Sequence, residues 1–404
     1  MSEPSDRETP ARHPEADGPS DVVPEPGEAV PGSGEAVPGS GEAAPEHGAD
    51  GESSRGDARR LSRRGWTLVL SGVLVLVFAL VGSFVRVPYV ALGPGPTYDT
   101  LGTVDGQEIV TVDGETSYSS DGELRMTTVS LNDDVTLFGA LGLWLSGRFA
   151  LAPRENYFRP GQTDEEVRQR NLQQFRRSQS NAEVAALREL GHPVQVRVDR
   201  ITDGSPADGV LSPGDRLLAV DGRRVSDTAD VYEALSDTRP GQRVSLTFSR
   251  EGGPERTESV TLANRPDGRP QGFVGFVPTG HAEVPFEIDI ALDHDVGGPS
   301  AGLVFALAIV ERLTRDDLTG DARVAGTGEI DAQGNVSEIG GISFKLLAAH
   351  EAGATAFLVP SGNCDEAVAA APDGLRLIEV STLDDAIRAL EALEAGEPVP
   401  SCAG

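Results

Sequence analysis

Residues 66–85, WTLVLSGVLVLVFALVGSFV, run for 20 positions without a charge. As a helix rising 1.5 Å per residue, the run spans about 30 Å, the thickness of a bilayer core. Trp66 and Tyr89 stand near its ends, where amphipathic rings favour the membrane interface. Arg59, Arg60, Arg63 and Arg64 precede it. The positive-inside rule therefore puts the N-terminus in the cytoplasm and everything after residue 88 outside. A cleaved signal peptide normally has a short leading region and a core of about 7–15 residues. Here about 64 residues come first, so an uncleaved single-pass helix over 65–88 is the expectation, with a buried soluble helix as its alternative.

Residues 1–57 contain 14 acidic residues against three arginines and almost no large apolar side chain. A seven-residue unit repeats there, GEAVPGS at 27–33 and 34–40, then GEAAPEH at 41–47. Such a composition cannot bury enough apolar surface to offset chain entropy, so residues 1–64 read as a disordered, solvated tail. The whole chain of 404 residues has a formal net charge of -30, which excludes a phosphate-backbone binder. The six histidines show no HExxH and no helical pairing, so no metal site is expected.

Past the apolar run, PYVALGPGPTYDTLG (88–102) reads as an extended, rigid connector because of its GPGP. EIVTV (108–112) and LRMTTVSL (124–131) read as strands. LFGALGLWLSGRFAL (137–151) is apolar at helical spacing; packing on a core is favoured over lying on the membrane surface. Thr163 and Glu166 have capping-box spacing at the start of a long helix that Gly191 ends. Residues 192–263 read as strands with one helix, and Asp221–Gly222 gives a type I′ hairpin signal. RPDGRPQG (265–272) reads as a linker, and 273–404 as strands alternating with helices.

Chemistry concentrates in that last segment. Ser300, in GGPSAG (297–302), falls at or near a helix N-terminus. Unpaired amides and the positive dipole end there suit an oxyanion. The bland reading is a helix-capping serine. A serine nucleophile needs a base, and the candidates are His281, His294, His350 and Lys345. Lys345 is the only lysine; the other 33 of the 34 basic residues are arginine. It sits among Ile342, Phe344, Leu346 and Leu347, where burial would lower its pKa by several units. Arginine cannot take that role, because it stays protonated.

These residues resemble a family. Ser300 in GGPSAG, Thr327 in GTGEI and Lys345 in IGGISFKLLAAH, followed by GATAFLVP, are similar to the proteolytic domain of Lon-type serine proteases. The Ser–Lys interval of 45 residues and the Thr–Lys interval of 18 are close to the family spacing. The resemblance implies Ser300 as nucleophile, Lys345 as general base and Thr327 holding the lysine amine, with backbone amides at Gly298, Ser300 and Ala301 receiving the oxyanion. Gly297 stands where the family carries an acidic residue. Upstream, GSPADGVLSPGDRLLAVDGRRV resembles a bacterial PDZ domain, without a recognisable Gly-Leu-Gly-Phe loop. The layout is similar to membrane-anchored, PDZ-containing Lon-like proteases, and SQSNAEVAAL (178–187) is similar to the helix before the PDZ in that group.

The expected fold is therefore a multidomain α+β or α/β chain. It has a disordered cytoplasmic tail (1–64), a transmembrane helix (65–88) and an extracytoplasmic segment (89–190). A PDZ-like domain (191–265) and a Lon-type proteolytic domain (266–404) follow. LRMTTVSL would join the protease fold, making the PDZ an insertion. The implied activity is ATP-independent endoproteolysis of extended or unfolded polypeptides outside the membrane, with the PDZ capturing peptide. No Gly-Lys-Ser/Thr tripeptide occurs, so no nucleotide or other cofactor is expected. Lon-like domains often form rings, and a homo-oligomer is expected by that analogy. Cys364 and Cys402, on the side placed outside, are a disulfide candidate. Two alternatives stay open: an α/β-hydrolase with Gly298-Pro-Ser-Ala-Gly302 as elbow and His350 as base, and an inactive membrane-anchored PDZ scaffold.

Overall fold

The computed structural model describes residues 62–158, 161–292, 296–315 and 317–402. Nearly all of the acidic tail, including its repeat, lies outside the described residues, as does His294. The chain divides into Met1–Arg63 and Arg64–Gly404, and the second unit holds both six-stranded sheets.

Helix α1 (Arg63–Phe84) is long and apolar enough to cross a membrane. It stops short of the expected residue 88 because the chain after Phe84 pairs elsewhere: Leu137 N–H donates to Val85 O, and Val87 N–H to Val135 O. Then come β1 (Tyr89–Asp99), β2 (Thr103–Val104), β3 (Gln107–Glu108), β4 (Val110–Asp113) and β5 (Glu123–Asn132). Helix α2 (Leu137–Leu145), β6 (Ala150–Pro153) and α3 (Asp164–Glu189) follow. The expected helix 137–151 ends early, at the Ser146 cap and the left-handed Gly147, leaving Ala150 onward free to pair as β6.

A separate module comprises β7 (Val194–Ile201), β8 (Arg216–Val220), β9 (Arg223–Arg224), α4 (Thr228–Ser236), β10 (Arg243–Ser249), β11 (Arg256–Thr261) and β12 (Phe276–Ala282). Its sheet runs β11-β10-β8-β7-β12, over a core that includes Val196, Leu217, Leu246, Phe248 and Val231. The module thus ends at Ala282 rather than at 265, because β12 returns to pair antiparallel with β7 along its whole length. The turn-rich stretch before β12 reads as a domain boundary only locally.

The chain closes with β13 (Glu287–Ile290), α5 (Gly302–Leu313), β14 (Arg323–Gly326), β15 (Glu329–Ile330), β16 (Val336–Ser337), α6 (Ile342–Glu351), β17 (Ala356–Pro360), α7 (Cys364–Ala370), β18 (Arg376–Val380) and α8 (Leu383–Glu394). The main sheet runs β18-β17-β14-β5-β1-β6. Period-2 alternation sorts its side chains: Ala356 and Leu358 join one core with α3, α5 and α8, while Phe357 and Val359 join the other with α6 and α7. β5 pairs in parallel with β14, Leu124 against Val324. The segment before the PDZ-like module therefore shares a sheet and a core with the segment after it.

β1 corrects the connector reading of 88–102. Its GPGP runs inside the sheet, with a register shift between Pro94 and Thr97 against β5. Pairing with β6 covers only Tyr89–Leu92. The prolines, which cannot donate, thus fall where one edge of the strand has no partner among the described residues. Cys364 and Cys402 form a disulfide that ties the C-terminal residues to the start of α7.

Candidate active site

Ser300 lies in the turn between β13 and α5. Gly298 adopts φ +91°, open to glycine at little cost, and the turn sets Ser300 just before Ala301, the N-cap of α5. Helix α5 is buried from Gly302 to Arg312, so this turn is anchored on the core. The Ser300 carbonyl accepts from Gly328 N–H at 2.8 Å and from the Thr327 hydroxyl at 2.9 Å. Thr327 sits where β14 breaks before β15, and it is fully buried.

Lys345 comes from a third element, α6, which starts after the left-handed Gly341. Its Nζ lies 2.7 Å from Ser300 Oγ and 2.8 Å from Thr327 Oγ1. Only 2% of Lys345 is exposed, and no carboxylate pairs with it among the described residues. Burial alone lowers its pKa from 10.5 to about 7. An amine so placed exchanges between ammonium and free base near neutrality. Because Thr327 gives its own proton to the Ser300 carbonyl, it receives one N–H of Lys345, which turns the remaining Nζ valence towards Ser300 Oγ.

The other base candidates lie elsewhere. His281 is on β12, opposite Gln195 of β7. His350 is exposed in the last turn of α6, five residues beyond Lys345. The backbone positions also separate. Gly298 N–H, expected to face the oxyanion, donates instead to Asn171 O at 3.1 Å. Among the described residues, neither Ser300 nor Ala301 N–H has a backbone acceptor.

Helix α3 supplies residues that sequence reasoning passed over. Ser178 Oγ donates to Pro299 O at 2.8 Å, Gln179 to Ile290 O at 3.1 Å and Asn181 to Ile330 O at 3.0 Å. Each bond holds a backbone carbonyl on a segment flanking Ser300 or Thr327. Phe175 meets Phe305 of α5 edge-on at 5.8 Å. The spacing 171, 175, 178, 182 was the available signal, one face of a helix. Gly297 is explained by the same packing: a Cβ there would lie 2.9 Å from Asn171 Cβ.

A cavity of about 600 Å³ opens over Ser300, lined by Tyr98, Thr127–Leu131 of β5, Phe175 and Ile339. The pairing of β5 with β14 ends at Met126. Beyond it, one edge of β5 faces this cavity with no strand partner among the described residues.

Residues 290–393 match the family model of the Lon protease (S16) C-terminal proteolytic domain. The chain carries a Lon-type proteolytic domain. Residues 167–262 match a PDZ domain model, so a PDZ domain sits between the two parts of the Lon-type sheet. The Lon protease of Clostridioides difficile is 37% identical over 103 residues, 25% of this chain and 13% of that protein. The Lon protease of Heliobacterium modesticaldum is 42% identical over 106 residues, 26% of this chain and 12% of that protein. This chain thus spans only about an eighth of the length of those relatives. The solved PDZ domain of an SdrC-like protein from Listeria monocytogenes is 20% identical, covering 21% of this chain and 86% of that one, with a TM-score of 0.19.

Within the PDZ, a groove of about 450 Å³ runs between α4 and the β12 edge, past Tyr232, Leu235 and Phe276. Its end is formed by Gly272–Phe-Val-Gly-Phe276 beside Arg265 and Arg269, which share the single carboxylate of Asp267. The two guanidiniums hold Asp267 below the usual carboxylate range.

Proposed function

We propose that this protein is a membrane-anchored, ATP-independent serine endopeptidase that cleaves extended polypeptide segments on the extracytoplasmic side. The observation that supports it most is the buried Lys345 amine, 2.7 Å from Ser300 Oγ and with a pKa near 7. The displacement from 10.5 amounts to about 5 kcal/mol of desolvation acting on the ammonium.

Neutral Lys345 accepts the Ser300 proton as Oγ attacks a peptide carbonyl. The amides of Ser300 and Ala301, at the positive end of α5, receive the oxyanion. Gly298 takes no part, since its N–H is held by Asn171. On collapse, the Lys345 ammonium donates to the leaving amine. A water then enters, gives its proton to the regenerated free base and hydrolyses the acyl-enzyme. Thr327 keeps the amine aimed throughout.

A substrate strand laid on the open edge of β5 presents its carbonyl to Ser300, which favours extended or unfolded segments. The PDZ groove, with its edge strand β12 and basic end, suits a peptide bearing a free carboxylate. The absence of a Gly-Lys-Ser/Thr tripeptide is consistent with cleavage without ATP. The apolar helix α1 and the arginines before it support an anchor with the N-terminus in the cytoplasm.

The test is degradation of a permanently unfolded protein by the purified chain without nucleotide. Ser300→Ala and Lys345→Arg should each abolish it, while His350→Ala should leave it unchanged. Turnover surviving both of the first two changes would defeat the reading.

A further inference from the structure

Helix α2, LFGALGLWL, has no charge on any face. Of its nine residues only Ala140 is buried. Leu137, Phe138, Leu141, Trp144 and Leu145 are exposed, Trp144 by 60% and Leu145 by 70%. A cluster of five such side chains in water marks a surface that something covers.

Its neighbour identifies the cover. The Phe138 ring meets Phe78 of α1 edge-on at 5.5 Å, and a side chain at Gly82 would overlap that ring. Phe78 lies six residues before Phe84, roughly 9 Å inward from the end of α1. Short backbone bonds fix the geometry, Leu137 N–H to Val85 O at 3.3 Å and Val87 N–H to Val135 O at 2.9 Å. Charges begin only outside this apolar zone: Arg86 donates to Asp134 at 2.9 Å, and Arg154 to Asp133 at 3.3 Å.

We propose that α2 is an interfacial helix, seated in the outer leaflet beside α1 and covered by lipid. This rests on the reading of α1 as a membrane span. An interfacial helix buries its apolar face about 5–10 Å into the boundary region, which matches the depth of Phe78. The aromatic end at Trp144 suits the headgroup level. The consequence concerns substrate. Leu131 of β5 lines the catalytic cavity, and six residues later the chain enters α2, a reach of at most about 20 Å. Arg148, just after α2, is bound at 2.8 Å to Glu351, the last residue of the helix that bears Lys345. The cavity is thereby held close to the bilayer, where it meets polypeptide segments next to the membrane.

Trp144 is one of two tryptophans, which makes the test direct. The full chain carrying Trp66→Phe is reconstituted in phosphatidylcholine–phosphatidylglycerol vesicles, with and without phosphatidylcholine brominated on its acyl chains. Trp144→Phe, which leaves Trp66, is the companion. Trp144 should show blue-shifted emission that brominated lipid quenches to an extent comparable with Trp66. Quenching of Trp66 alone would overturn the proposal for α2 while leaving the anchor intact. Quenching of neither would overturn both. Blue-shifted Trp144 emission without quenching would assign the surface to a protein partner and overturn the lipid cover. Retained cleavage of an unfolded protein shows that each variant is folded.

Discussion

The Thr327 hydroxyl donates to the Ser300 carbonyl oxygen at 2.9 Å, joining the residue that aims the base to the backbone of the nucleophile. Its oxygen also accepts from Lys345 Nζ at 2.8 Å. Thr327→Val keeps the volume and removes both bonds. Peptidase kcat should fall roughly tenfold to a hundredfold, the worth of two hydrogen bonds of about 1 kcal/mol each, with KM nearly unchanged. Thr327→Ser should recover most of the loss. Steady-state kinetics on an unfolded protein checks this, and equal activity in all three proteins would remove Thr327 from the site.

Position 297 gives a test of the packing between α3 and the nucleophile turn. Gly297→Asp restores the acidic residue of the resembled family, but its Cβ meets Asn171 Cβ at 2.9 Å. Activity should drop at least tenfold through displacement of the turn. Asn171→Gly removes the obstructing atom at a helix cost of about 1 kcal/mol, and the double variant should regain activity over Gly297→Asp alone. Additive losses in the kinetic cycle would contradict this.

Lys345 should leave a mark on stability as well. Its folded pKa, about 7, lies below its unfolded value of 10.5. Between those values the unfolded chain holds a proton that the native one lacks. Stability therefore rises with pH across that window, and the whole penalty applies below 7. The contribution approaches about 1.4 kcal/mol per pH unit in mid-window. Lys345→Met should be the more stable protein in urea at pH 7, and the gap should narrow as pH approaches 10. A gap independent of pH would mean that the amine is not desolvated.

The Cys364–Cys402 bond closes a loop with a sequence separation of 38. Chain entropy assigns such a closure on the order of 4 kcal/mol. Cys364→Ser with Cys402→Ser should lower the urea midpoint accordingly and leave kcat at low temperature unchanged, because neither residue lines the cavity. A loss of kcat in a protein still folded by circular dichroism would show that the tail shapes the site.

The dyad was legible because Lys345 is the only lysine and stands in a Gly-Gly-framed apolar helix, while Ser300 stands in GGPSAG. The strand-and-helix alternation after residue 285 was legible for the same local reason, period 2 giving way to period 3.6. What the sequence concealed was non-local. The pairing of Leu124 with Val324 joins residues 200 apart; no local pattern reports it, and only the resemblance to the Lon-like layout placed LRMTTVSL in the protease fold. GPGP advertises a loop, yet β1 tolerates it where β6 has ended. Phe276–Ala282 follows a turn that looks like a boundary, and only the register against β7 reveals its allegiance. Asn171 and Ser178 share one helix face with Phe175 and Ala182, but that spacing does not tell which partner the face will meet, here the turn that carries Ser300. The apolar spacing of α2 favours a core, yet in the fold only Ala140 is buried and Phe138 packs on α1.

The most direct test is the pH dependence of Ser300 acylation by a fluorophosphonate, with the adduct located by mass spectrometry. The rate should rise through a single ionisation near pH 7, level off above it, and vanish in Lys345→Arg, with all label on Ser300. A rate that climbs only near the pKa of a solvated lysine, persists in Lys345→Arg, or labels another residue would contradict the assignment of Lys345 as the base.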